Sequence, residues 1–377
     1  MDFGAIASIV LIALGLLGTD AVIRPVDIAV RFEVPPSLEK DGFSRNTAEL
    51  IFMDEFQRVA ATKSLAAAPT LKADRQKSMS LVLAETLKMA ELVAAVQTQF
   101  GIGPDEMTVT IFVEQGQAKA LISGSNQKSG IFQQVIVQRT GESLVDLLRR
   151  AADVGAANIA PYLTALYLVQ RNAADRKFQD AEALIAYARS LLAPTPLNPE
   201  RARFDNLLGI IALFSNDVPA AHAHFETAIG SDPRGSVAII NAAFTDILLA
   251  DYQTASDRLE KMLREAPPAN EVLLMTAYMT WAAAKRGTNN LKAAEELLAK
   301  AARAYPFGRA IFDVWSSTKE ALGDAEGAAE LQRKGQENAA RFENYAEIAS
   351  LYFQLSWEAG GSVLRSRFSN PVVASFR

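Results

Sequence analysis

A spacing of thirty-four residues, repeated in the second half of the chain, constrains the fold more than any other feature of the sequence. Small residues recur at this interval at Gly209, Ala243 and Ala277. Other positions share the interval: Ala221 with Ala255, Phe225 with Leu259, and Pro233 with Pro267. A period of this length, with small, apolar and proline positions held in register, predicts a stack of helical hairpins.

The same pattern extends beyond these units in both directions. A third set is displaced by five residues and comprises Ala294, Leu298, Ala301 and Pro306. We place the extra residues in the hydrophilic segment KRGTNN (285–290), where a turn accepts an insertion at little cost. Ser316 and Ala328 mark a fourth unit, and 162–193 has the pattern of a degenerate first unit.

These repeats resemble the tetratricopeptide-repeat (TPR) family over residues 161–360. The best unit is LLGIIALFSNDVPAAHAHFETAIGSDP, with Gly209 at the small position of its first helix and Ala221 in its second. The resemblance implies a mainly α fold, in which the hairpins form an α-α superhelix. It also implies that the first helices line a concave face that binds protein.

Carrying the family's concave positions over one at a time gives a predicted groove that is mostly apolar and aromatic. Its residues are Asn206, Ile210, Leu213, Phe214, Ile240, Phe244, Ile247, Leu274, Tyr278 and Trp281. Such a strip is expected to be covered, either by a protein ligand, or by the chain's own N-terminal module or another copy of the chain. The family's groove for C-terminal carboxylates needs lysines that are missing here, so we exclude that function.

Residues 24–155 predict a separate α+β module. Strands are expected at 26–34, 107–114, 118–123 and 132–139, with a two-residue turn at Gln115-Gly116. Helices are expected from a Ser44 cap to 61, at 79–100 and at 144–154. The order predicts one sheet with helices on a face. The segment VPPSLEKDGFSRNTAELIFMDEF resembles the corresponding module of bacterial membrane-anchored TPR proteins.

Residues 1–23 predict a membrane anchor. The run 4–18 carries no charge, and with the residues up to 23 it has the length of a membrane span. A cleaved signal segment is the alternative, but no Lys or Arg precedes the run. We therefore expect a single-pass protein of the inner (cytoplasmic) membrane, attached through residues 4–23. The few basic residues that follow leave open which side holds the soluble part.

Composition excludes several kinds of chemistry. The chain has no cysteine, a net charge of −5 and two histidines, His222 and His224. Two positions apart on a helix, these side chains point in different directions, so we expect solvent-facing residues and no metal site. The loop 124–130 lacks the order of a phosphate-binding loop. We expect no cofactor, no nucleic-acid binding and no enzymatic activity.

The sequence as a whole predicts a membrane-anchored TPR scaffold or adaptor that mediates protein–protein interaction. The alternative is a ligand-sensing or accessory subunit of a membrane complex, which would use the α+β module. Residues 156–360 form the predicted repeat domain, and 361–377 a flexible tail. Neither the identity of the partner nor the oligomeric state follows from the sequence.

Overall fold

A computed structural model describes residues 28–40, 43–62, 105–126, 130–192, 195–306 and 308–341. The predicted anchor (1–23), the predicted helix 79–100 and the predicted tail (361–377) lie outside these ranges. The chain divides into two compact units, Met1–Tyr167 and Leu168–Arg377. No helix within the described ranges is both long and apolar enough to span a membrane.

The first unit contains a four-stranded sheet in which neighbours in sequence are neighbours in space. Its strands are β1 (Ile28–Glu33), β2 (Asp105–Glu114), β3 (Gln117–Asn126) and β4 (Gly130–Val137). β1 pairs with β2 in parallel, and the other two pairs are antiparallel. Gln115 and Gly116 both have positive φ, as the tight turn between β2 and β3 requires. The predicted strands are present with shifted ends.

One face of the sheet is covered by helices. These are α1 (Pro36–Lys40), α2 (Arg45–Ala60) and α3 (Leu144–Ile159). Ser44 caps α2 by accepting a hydrogen bond from the Thr47 N–H at 3.2 Å, and Ser143 caps α3 in the same way. Alternation in β2 places Met107, Val109 and Ile111 on the helix-covered face, where they are buried.

The second unit is built from pairs of helices. The helices along this part of the chain are α4 (Pro161–Asn172), α5 (Gln179–Leu191), α6 (Pro199–Phe214), α7 (Val218–Ser231), α8 (Ser236–Leu248), α9 (Tyr252–Glu265), α10 (Glu271–Gly287), α11 (Leu291–Ala304), α12 (Arg309–Ala321) and α13 (Ala325–Arg341). The unit boundary falls inside α4. From α6 onward each first helix packs on the second helix that follows it, which gives the stack of hairpins that the period predicts.

The turns inside the four hairpins from α6 to α13 share one backbone conformation. A residue with positive φ precedes an Asp or Asn that caps the second helix: Asn216 with Asp217, Ala250 with Asp251, Asn289 with Asn290, and Gly323 with Asp324. Each cap N–H donates to the carbonyl five residues earlier at 2.8–2.9 Å. A Schellman ending therefore leads directly into an N-cap in each of these four hairpins.

The five extra residues of the third hairpin do not enlarge the turn, which corrects the expectation from the sequence. They lengthen the first helix, because α10 continues through Lys285, Arg286 and Gly287 before the same turn follows. Two basic residues in the last turn of α10 are favourable to its dipole. A Cβ on Gly287 would lie 2.7 Å from Cγ of Tyr252, so the added turn packs closely on α9.

The small residues that recur every thirty-four positions lie where helices pack closely. Ala243 and Ala277 have no exposed surface. Gly209 faces the ring of Phe225, and a Cβ there would lie 2.7 Å from both Cδ1 and Cζ. Real carbon atoms do not approach this closely, so only glycine fits at Gly209 without displacing a buried ring.

Replacing Gly209 with alanine is expected to lower the free energy of unfolding by about 1–3 kcal/mol, because the added methyl overpacks the contact with Phe225. Gly230 is the matched control, because a Cβ there meets nothing within 4 Å. Gly230→Ala should raise stability by about 0.5–1 kcal/mol, since alanine favours the helix. Chemical denaturation of both variants tests this. Equal effects at the two positions would contradict the assigned contact.

Candidate protein-binding surface

The first helices of successive hairpins contact one another and form one side of the repeat unit. α8 touches both α6 and α10. Between α6 and α8 the contact includes a buried hydrogen bond, in which Asn241 Nδ2 donates to Asn206 Oδ1 at 2.9 Å. Both asparagines are 4% exposed. A buried amide pair of this kind fixes the register of the two helices, because an unpaired amide would be costly.

The ten predicted groove residues fall into two groups by solvent exposure, buried and half-buried. Six are buried: Asn206, Ile210, Leu213, Phe214, Ile240 and Phe244. The other four are half-buried: Ile247, Leu274, Tyr278 and Trp281. A ligand at the surface would therefore reach only the half-buried four directly.

Phe214 illustrates the buried group. Its ring lies 5.4 Å from that of Phe178, which directly precedes α5, and both side chains are 4% exposed. An aromatic pair at this distance stabilises the junction between α5 and α6. Phe214 therefore belongs to the packing of α5 on α6.

Tyr278 and Trp281 are held in place by the helices around α10. The Trp281 indole N–H donates to Ser256 Oγ of α9 at 2.7 Å. Nζ of Lys285 lies 5.9 Å from the centre of the Trp281 ring, and Nζ of Lys300 lies 5.9 Å from that of Tyr278. Each ring is thus partly exposed and adjacent to a positive charge, and the hydrogen bond to Ser256 also fixes the orientation of the Trp281 ring.

Charged side chains of α7, α8 and α9 form a network. The thirty-four-residue spacing of small and apolar residues does not predict it. Asp246 is 2% exposed and accepts a hydrogen bond from Arg258 Nε at 3.0 Å. Arg258 also pairs with Glu226, and His222 Nδ1 lies 3.3 Å from Asp246 Oδ1. Burial raises the pKa of Asp246, and Arg258 opposes that shift. His222 was expected to be a solvent-facing residue, but it is half-buried and contacts α8.

A second buried carboxylate occupies the junction of α5 and α6. Asp205 is 1% exposed, with Arg189 Nη2 3.0 Å away and Arg201 Nε at 4.0 Å. The geometry of these contacts is that of ion pairs without directed hydrogen bonds. Burial raises the pKa of Asp205, and the nearby positive charges oppose the shift. Spacing alone could not reveal the pair of Arg189 and Asp205, because these residues belong to different hairpins.

Arg286, in the added turn of α10, links the third and fourth hairpins. Its guanidinium donates to the Val314 carbonyl at 3.1 Å and to the hydroxyls of Thr318 and Ser317 at 2.9 and 3.1 Å. Burial lowers the pKa of Arg286. The described residues contain no group of three acidic, histidine or cysteine side chains that could hold a metal ion.

No protein-family model and no curated protein matches this chain. Solved structures that are similar to part of it include two MamA chains. "MamA MSR-1 C2" is 16% identical with a TM-score of 0.34, over 47% of this chain and 97% of the other. "MamA RS-1 ArsTM double mutant" is 19% identical with a TM-score of 0.38, over 49% and 97%. At these TM-scores the similarity carries no conclusion about function.

Replacing Arg258 with leucine is expected to lower the free energy of unfolding by about 3 kcal/mol, because Asp246 would stay buried without its main positive partner. Leucine preserves much of the apolar contact of the arginine stem. Lys261→Leu is the control, because Lys261 is exposed on the same helix. Denaturant unfolding at neutral pH measures both. Two variants of equal stability would show that the ion pair contributes nothing.

Proposed function

We propose that the repeat unit is a protein-interaction scaffold of the tetratricopeptide type. The partner would bind along the side formed by α6, α8 and α10. The single observation that supports this most is the half-buried apolar group shared by two neighbouring first helices, Ile247 on α8 and Leu274, Tyr278 and Trp281 on α10. Partly exposed aromatic side chains in fixed orientations are the usual anchors of a protein interface.

The chemistry around these side chains suggests the kind of partner. Lys285 and Lys300 lie beside the two aromatic rings. A segment that carries apolar side chains and neighbouring acidic groups would fill the apolar surface and pair with the lysines. The six deeper residues of the predicted groove would act indirectly, by holding the first helices in position.

Photo-crosslinking tests the location of the interface. With p-benzoylphenylalanine in place of Leu274, we expect a discrete crosslinked product in cells that produce the full chain. The same amino acid in place of exposed Lys261 on α9 is the control, and it should give no such product. A product at twice the chain mass would indicate self-association through the repeats. Identical products at both positions would contradict the proposed surface.

The scaffold would be tethered to the inner membrane through residues 4–23. This part of the proposal rests on the uncharged run 4–18 alone, because these residues lie outside the described ranges. A tether would hold the repeat unit near the bilayer and raise its effective concentration towards partners there.

Deletion of residues 2–23 tests the tether. We expect the full chain to remain with the membrane fraction after washing with high salt, because a span of this length buries an apolar surface that salt does not release. The shortened chain should move to the supernatant. Equal retention of both chains in the membrane fraction would place the attachment elsewhere.

A further inference from the structure

The two outer strands of the sheet differ in the chemistry of their exposed side chains. On β1, Arg31 and Glu33 are exposed, and Glu33 accepts a hydrogen bond from Thr110 of β2. On β4, Ile131 is 90% exposed and Val135 53% exposed. The whole strand, GIFQQVIV, has neither a charge nor a proline. Charges and prolines are the common means of keeping an edge strand unpaired, and β4 has neither.

The backbone of β4 also has groups that point away from β3. The Gln138 N–H donates to the Ala118 carbonyl, so even-numbered residues of the strand direct their backbone groups towards β3. Odd-numbered residues direct theirs to the other side. The Val137 carbonyl confirms this, because it accepts a hydrogen bond from Arg150 Nη2 at 2.8 Å. No strand among the described residues lies beyond β4.

Arg150 limits the part of the edge that can pair. Its guanidinium also binds both carboxylate oxygens of Glu142, at 2.7 and 2.6 Å, which fixes it at the end of the strand. Backbone groups of Ile131, Gln133 and Val135 remain directed outward. The same three residues carry exposed side chains on the face of the sheet that α2 and α3 do not cover.

We propose that β4 pairs with β4 of a second copy of this chain, antiparallel about a two-fold axis at Gln133. In this register Ile131 lies opposite the partner's Val135, and Gln133 lies opposite the partner's Gln133. The three outward residues of each strand exchange N–H···O bonds as closely spaced pairs. The two sheets become one continuous sheet across the axis.

A second copy fits this edge because the outward side chains of β4 are arranged symmetrically about Gln133. Rotation about Gln133 matches a β-branched apolar side chain with another and an amide with an amide, and it brings no charge opposite a like charge. An interface with two-fold symmetry requires this self-complementarity. An unrelated strand would have no need of the symmetric arrangement around Gln133.

The mass of the full chain in mild detergent, measured by light scattering, tests the proposal. The unchanged chain should be a dimer and Val135→Lys a monomer, because the lysine would face the partner's Ile131. Val135→Thr is the matched control, which keeps a β-branched side chain and should remain dimeric. Val135 is exposed, so the lysine variant should stay folded and lose only the stability that the dimer contributes. A monomeric unchanged chain, or a dimeric V135K variant, would overturn the proposal.

Disulfide formation tests the register, because the natural chain has no cysteine. Gln133→Cys should form a covalent dimer on oxidation, since the two positions face each other across the axis within the reach of a disulfide. Arg31→Cys on β1 is the control and should give no covalent dimer. A crosslinked dimer from R31C alone would overturn the pairing at β4. So would a Q133C product in cells at the mass of one chain plus another protein, which would instead indicate an unrelated strand.

Discussion

The close approach of the two helices within each hairpin is the contact on which the repeat unit depends. At Gly209 the approach leaves no room for a methyl group beside Phe225, and at Ala243 and Ala277 it leaves room for only one. Ser316 fills the same position in the fourth hairpin, where its hydroxyl donates to the Ala328 carbonyl at 3.0 Å. A polar residue is accepted there because its hydrogen bond is satisfied inside the contact.

The turn conformation explains why the insertion lengthens a helix. A Schellman ending followed directly by an N-cap leaves no loop that could grow without losing both sets of hydrogen bonds. Additional helical residues cost less, because each one makes its own backbone hydrogen bond. The added turn of α10 then gains contacts, with Gly287 against Tyr252 and Arg286 bound to α12. Ala250 occupies the positive-φ position of its turn without the conformational freedom of glycine, which indicates how firmly the neighbouring hydrogen bonds hold that conformation.

Local sequence patterns predicted the helices and strands of this fold well. They did not predict contacts between residues that are distant in the sequence. Alternation in 107–114 predicted strand β2, and the period predicted the hairpins. Spacing alone did not predict how deeply each groove residue is buried. Phe244 and Tyr278 occupy equivalent repeat positions, yet Phe244 is buried and Tyr278 half-buried. The sequence also did not predict the extra turn at the end of α10, because its hydrophilic residues resemble those of a turn.

The contacts between neighbouring hairpins differ in chemistry, and this difference affects where a partner would bind. The α6–α8 boundary includes the buried pair of Asn206 and Asn241, and α10 is joined to α12 by the guanidinium of Arg286. In a repeat protein, each such boundary contributes its own term to stability. The half-buried apolar side chains Ile247 and Leu274 belong to α8 and α10, two helices that contact each other. A ligand that bridges α8 and α10 would add contact area there, and it would couple the first two of these hairpins to the last two.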